Sequence, residues 1–187
     1  MMDAFSYLSV LLSIILGLAI AQVLQGYRAL LLARGRVRVS APVLIWSGLL
    51  LLIATQAWWA SFGLRQRMNW DFLSFAVILL QMILLYMLSA VVFPEVQPSD
   101  RVDLVDHFDR HRRIFYALLI ALLVVSVVKD VVLNHHLPSP VNLAFHILLG
   151  TTAAVGIAAR SARVQLWLAL FGVAAFLAYI AMLFARL

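Results

Sequence analysis

The chain alternates long apolar runs with short polar breaks. Runs at about 5–33, 41–64, 70–94, 114–134, 139–160 and 164–186 each reach the ~20 mostly apolar residues needed to cross the hydrocarbon core. Backbone amides in lipid must be satisfied within their own segment, so each run is expected as a helix. The breaks fall at 34–40, 65–69, 95–113, 134–138 and 160–163. Pro42, Pro94, Pro138 and Pro140 lie at run ends, where a missing amide hydrogen does least harm. The expected fold is all-α: one integral membrane bundle of six transmembrane helices over 1–187, with no soluble domain. Residues 8–18 followed by Ala19-Ile20-Ala21 look like a secretory signal, but residues 1–7 carry Asp3 and no Lys or Arg. An uncleaved first helix is therefore expected.

Composition narrows the class. Of 187 residues, 65% are hydrophobic and 12% charged, whereas soluble domains carry about 25% charged residues. The bilayer is thus the first partner. The net charge of +6 is spread between apolar runs rather than gathered on one module, so no nucleic-acid partner is expected. It reads instead as a topology signal. Arg28, Arg34, Arg36, Arg38, Arg101, Arg110, Arg112, Arg113, Arg160 and Arg163 fall on one side, and Arg65, Arg67, Lys129 and Arg186 on the other. The positive-inside rule places both termini on the outer side of a bacterial inner membrane, crossed in multiple passes. Trp46 and Trp167 near one boundary, and Trp58, Trp59 and Trp70 near the other, fit headgroup belts. So do Tyr7, Tyr27, Tyr116 and Tyr179 toward helix ends.

Three helices per half would allow an inverted repeat, but residues 5–94 and 114–186 show no matching pattern. Small residues recur at four-residue spacing in Ser13-Gly17-Ala21, continuing to Gln25, in Gly150-Ala154-Ala158 and in Ala174-Ala178. Intramolecular helix packing is the favoured explanation, with a seam for a homo-oligomer or a membrane-complex partner as the alternative.

Charge is scarce inside the spans, which makes each instance informative. Lys129 and Asp130 interrupt the fourth run and His146 the fifth. A charge at the bilayer centre costs about 2.5–3.5 kcal/mol, so such residues mark candidate pathways. A turn near Leu137–Pro138 sets the three at similar depth, roughly 10 Å from the turn at 1.5 Å rise per residue. Gln56 and Asn142 share that level. Asp130 and His146 form a candidate proton-responsive pair; against it, Lys129 could snorkel outward and Asp130 pair locally. Gln22, Gln25, Gln56 and Gln81 either line a polar path or act as interhelical hydrogen-bond contacts, and packing is favoured. The ion, proton or solute pathway expected from sequence is therefore Lys129, Asp130, His146, Gln56 and Gln81.

The segment 95–113 is the longest polar stretch. Asp103, His107 and His111 share one helical face, a set that Zn²⁺ accepts as ligands. Val102, Val105 and Phe108 form an apolar counter-face, so a cytoplasmic amphipathic juxtamembrane helix, capped by Ser99 or Asp100, explains the same pattern. Its His107, Arg110 and His111 would then contact a partner. His135 and His136 sit in a short loop and leave only His146 within a span, one short of a bis-His haem. No cofactor is required, with Zn²⁺ and haem as the alternatives. There is no cysteine, and no P-loop, G-x-G-x-x-G, H-E-x-x-H or G-x-S-x-G. No catalytic residue is assigned and no enzyme is expected.

Phe5-Ser6-Tyr7-Leu8-Ser9, Gly17-Leu18, Gln22 and Gly26, with Trp46, Trp58-Trp59, Pro94-Glu95, His107 and Arg112-Arg113, resemble a group of small six-helix bacterial membrane proteins without an established activity. The likeness covers most of residues 5–116. It implies the fold and carries over no site residue. The functional expectation is an ion or small-solute channel or transporter, or a pH-responsive sensor. The alternatives are a scaffold docking through 95–113, and a metal- or haem-binding membrane protein.

Overall fold

A computed structural model describes residues 4–33, 35–66, 70–95 and 101–184. Arg34, Arg67 and Arg186 of the charge count, and the capping candidates Ser99 and Asp100, lie outside the described residues. The described residues form α1 (Ala4–Leu32), α2 (Ala41–Ser61), α3 (Phe72–Val91), α4 (Leu104–Asn134), α5 (Pro140–Ala158) and α6 (Ala162–Phe184). All six are long and apolar enough to cross a membrane.

Local chemistry sets the helix ends. The Asp71 carboxylate accepts the Ser74 amide at 2.7 Å, and the Ser139 hydroxyl accepts that of Asn142 at 3.3 Å. Pro42 and Pro140 fall in first turns, where the amide is spare. A 3-10 turn over Phe62–Gln66 extends α2. His135 closes α4 in the left-handed region at φ 58°, its amide donating to the Val131 carbonyl at 2.8 Å.

The polar segment does not make a separate interfacial helix. Residues 104–113 are the first turns of α4, continuous with its apolar part. The cap is Asp103, whose side chain accepts the Val105 and Asp106 amides at 2.9 and 3.0 Å. These N–H groups, the Asp106 amide foremost, hold the Asp103 carboxyl below the usual carboxylate range. Val102 and Phe108 of the expected lipid-side face are buried in the protein.

Two-residue strands, β1 (Val37–Arg38) and β2 (Val102–Asp103), pair in parallel between the first and third loops. The Val102 amide donates to the Arg36 carbonyl at 3.0 Å, and Arg38 meets Asp103 at 3.2 Å. Gly35, at φ +81°, makes the turn from α1 into β1. This clasp ties two arginine-bearing loops together at one end of the bundle, the arginine-rich end. The start of α1 and the end of α6 lie toward the opposite end, the terminal end.

Neighbouring helices close a ring in the order α1, α3, α4, α5, α6, α2, with α2 also touching α3 and α4 across the interior. An inverted repeat would make α4 and α6 neighbours as closely packed as α1 and α3. Instead α5 stands between α4 and α6, so the halves are not packed alike.

The outside of the ring is apolar. Ile14, Leu18 and Leu24 of α1, Ile147 of α5 and Leu170, Phe171 and Leu177 of α6 are exposed. Such a surface suits acyl chains and not water. The small-residue stripes face the same way: Ser13, Gly17, Gln25, Ala154, Ala158, Ala174 and Ala178 are exposed. A Cβ added at Gly17 or Gly150 would meet nothing within 4 Å. These stripes do not pack the monomer, contrary to the favoured expectation. The glycines that do permit close approach are Gly26 against Phe93, Gly156 against Tyr116 and Gly172 against Trp46.

Trp46 is a second correction. It does not face the lipid, as a headgroup belt requires, but is 1% exposed in the core. Tyr116, at 0%, is buried beside it. Trp58, Trp59 and Trp167 are exposed, as a belt requires.

Candidate functional site

The two halves of the ring's interior are filled differently. Toward the arginine-rich end, Trp46, Phe108, Phe115 and Tyr116 form an aromatic plug. Ring centroids lie 5.5 Å apart for Trp46 and Phe115, 5.7 Å for Trp46 and Tyr116, and 5.4 Å for Phe115 and Tyr116. All three contacts are edge-on, the geometry that aromatic quadrupoles favour. Gln165 anchors the plug. The Tyr116 hydroxyl donates to Gln165 Oε1 at 2.6 Å, while Gln165 Nε2 donates to the Gly156 and Ala159 carbonyls at 3.0 and 2.8 Å. The amide thus supplies the α5 terminus with hydrogens that a helix end lacks.

Toward the terminal end the interior is hollow. A cavity of about 320 Å³ is bounded by α2, α3, α4, α5 and α6. Trp46, Leu49, Met82 and Leu119 line its apolar depth, and Ser61 and Leu64, at the end of α2, mark its other limit. Lys129, Asp130, His146, Gln56 and Gln81, singled out from sequence, all line it. Asn142 joins them.

The hydrogen bonding within this group is incomplete. Lys129 Nζ stands 3.9 Å from Asp130 Oδ1, beyond hydrogen-bond range. Asn142 Nδ2 donates to Asp130 Oδ2 at 3.3 Å. His146 Nδ1 donates to the Asn142 carbonyl at 2.8 Å, which leaves Nε2 as the ring's second polar atom. Asn142 therefore stands between Asp130 and His146, in place of the direct pair that the spacing suggested. Lys129 does not snorkel away: its side chain is 24% exposed and shares the cavity with Asp130. Asn142 Oδ1 and Gln81 Oε1 are buried without a hydrogen-bond donor among the described residues.

Sequence reasoning passed over three participants. Ser126 and Tyr179 line the cavity, and Tyr179 packs edge-on against Phe145 at 5.5 Å. Gln165 holds the plug. Ser126 lies one turn before Asp130 on the same helical face, a spacing that would have found it. The other glutamines divide. Gln22 Nε2 donates to the Tyr86 hydroxyl at 3.4 Å and Gln25 is exposed on α1, so neither joins the cavity.

The candidate metal and partner residues sit elsewhere, at the arginine-rich end. His107 Nε2 donates to the Val91 carbonyl at 3.0 Å, and His111 Nδ1 to the His107 carbonyl at 2.9 Å. The Asp103 carboxylate is spent on the helix cap and Arg38. Asp103, His107 and His111 line one hollow of about 220 Å³, and among the described residues no group of three or more His, Cys, Asp or Glu is placed to hold a metal ion. Arg110 pairs with Asp106 one turn away. His107, Arg110 and His111 are thus engaged within the chain.

No protein-family model matches the chain, and neither curated proteins nor solved structures give a match.

Proposed function

We propose that this multi-pass membrane protein binds and moves a small solute, admitting it at the terminal end and holding it in the cavity between α2 and α6. One observation carries the reading. Polar residues that stand isolated in the apolar runs of α2, α3, α4 and α5 meet at a single hollow. Desolvating polar groups without partners is costly, and a bundle that gathers them around an open volume keeps them available to a ligand. The volume lies at the lower end of the ~300–1,000 Å³ typical of small-molecule sites.

The buried aromatic plug argues for alternating access or sensing rather than an open channel. With the arginine-rich end in the cytoplasm, the cavity faces the outer side of a bacterial inner membrane. The test is binding and counterflow in proteoliposomes with radiolabelled amino acids, amines and carboxylates. Ala57→Phe, which fills the cavity, abolishes both activities. Asp130→Asn and His146→Ala lower flux at least tenfold and flatten its dependence on pH. Flux and pH dependence unchanged in these variants would overturn the reading.

A further inference from the structure

Resting on the solute-binding reading, we infer that the ligand is a small zwitterion, carrying an ammonium and a carboxylate next to a compact apolar body, as an apolar α-amino acid does. The geometry that carries this is the Lys129–Asp130 pair, open at 3.9 Å on the wall of the cavity.

Charge comes first. Lys129 and Asp130 together are neutral; among the described residues the cavity lining holds no other Lys, Arg, Asp or Glu, and its remaining ionisable side chains are His146 and Tyr179. A ligand with a net charge would leave one unit uncompensated in a low-dielectric interior, a strongly unfavourable outcome. A zwitterion keeps the sum at zero and gives each protein charge its own counter-ion. The pair leaves room for this, because 3.9 Å is too long for a hydrogen bond and too short for either group to ignore the other.

Hydrogen-bond capacity comes second. The Asp130 carboxylate lines the cavity, where Oδ2 already accepts from Asn142 and Oδ1 stands 3.9 Å from Lys129 Nζ, too far to accept from it. An ammonium brings three N–H donors and no acceptor, so it pairs with this carboxylate. The Lys129 ammonium then takes the ligand's carboxylate.

Shape comes third. Lys129, Asp130, Asn142 and His146 lie within two turns of the α4–α5 connection, on the terminal side of the cavity, whereas Leu49, Met82 and Leu119 of its lining lie farther from that end. The ligand therefore has a polar head and an apolar side chain. About 320 Å³ accommodates one such molecule and excludes the paired acyl chains of a phospholipid, so a free solute is favoured over a zwitterionic headgroup.

The experiment uses the full chain in phosphatidylglycerol nanodiscs, which contain no zwitterionic lipid. Three probes of one shape are compared by equilibrium binding: L-leucine, isopentylamine with the ammonium alone, and 4-methylpentanoate with the carboxylate alone. L-Leucine is expected to bind at least tenfold more tightly than either, because each lost end forfeits a charge-assisted hydrogen bond. Lys129→Met brings isopentylamine level with or above L-leucine, and Asp130→Asn does the same for 4-methylpentanoate. The double variant binds none of the three, and its unfolding transition reports that it is folded.

A single-charge probe that equals L-leucine on the unchanged protein, and is blocked by Ala57→Phe, overturns the zwitterion and leaves the cavity reading standing. Binding by none of the probes overturns the zwitterion; the broader reading then stands or falls on the counterflow panel. Loss of L-leucine binding on adding phosphatidylethanolamine would reassign the cavity to a lipid headgroup.

Discussion

The same helices build a solid half and a hollow half. In its half nearer the arginine-rich end α2 contributes Trp46, and farther along Gln56 and Ala57; α4 contributes Phe108, Phe115 and Tyr116, and then Ser126, Lys129 and Asp130. In the solid half, rings press onto glycines: a Cβ on Gly156 would lie 2.4 Å from the Tyr116 ring, and one on Gly172 2.9 Å from Trp46. Large and small surfaces interlock and dispersion contacts add up. In the hollow half, amides and charges stand among the rings of Phe145, Phe176 and Tyr179. They cannot be pressed against apolar neighbours without losing their hydrogen bonds, so the space between them stays open. The difference teaches where stability and function reside. Substitutions in the plug should be read out as unfolding, and those in the cavity as lost binding.

The sharpest way to break this division is Trp46→Ala. Trp46 belongs to both halves, touching Phe115 and Tyr116 on one side and lining the cavity on the other. Its removal is expected to cost about 3–5 kcal/mol, the range for a buried large aromatic, measured by equilibrium unfolding in mixed micelles. It also joins the cavity to the space the plug occupied, so solute leaks in proteoliposomes. Trp58→Ala, at an exposed position on the same helix, should change stability by no more than about 0.5 kcal/mol. Equal effects at the two tryptophans would show that the plug is not where the stability lies.

A smaller effect is expected from Tyr116→Phe. The ring and its edge-on contacts remain, and only the hydroxyl that donates to Gln165 Oε1 is lost. That oxygen is then buried without a donor, a penalty of about 1–3 kcal/mol. The pair Tyr116→Phe with Gln165→Leu separates the two terms. If the network matters through satisfaction, the double variant recovers part of the loss. If it matters through the α5 carbonyls that Gln165 caps, the double variant falls further.

How much of this was legible in the sequence depends on what lipid leaves readable. The six spans were, because runs of that length and polarity have no soluble use. Lys129, Asp130 and His146 were, because a charge or imidazole inside such a run stands out against its neighbours. Asn142 was placed at their level by counting back from the α4–α5 turn. Helix facing was not legible. In water, polarity marks the outer side of a helix, but in a bilayer both sides are apolar and the pattern falls silent. Trp46 was therefore assigned to the headgroup belt although it is a core residue. For the same reason Ser13, Gly17 and Gln25 were expected to pack inside and instead face out. Gln165 gives no sign of its role, because a lone glutamine near a run's end resembles a boundary residue. The β1–β2 clasp was beyond reach, since two residues per strand leave no alternation to detect.

The last comparison concerns the hollow half alone, where the smallest change in stability is expected. Replacing Lys129 and Asp130 together, as Lys129→Met with Asp130→Asn, removes both charges while the new amide oxygen can still accept from Asn142 Nδ2. Buried ion pairs exchanged for neutral side chains of similar volume are often neutral or stabilising. Here the pair is open at 3.9 Å and each side chain is about a quarter exposed, so its electrostatic gain is small and so is the loss on removing it. Unfolding in mixed micelles should thus be unchanged or shifted toward greater stability. A loss as large as that of Tyr116→Phe would mean that the charges hold the helices apart or together, and the cavity would then be a structural feature. An unchanged transition, with binding gone, would identify the pair as a feature retained at the expense of insertion for the sake of a ligand.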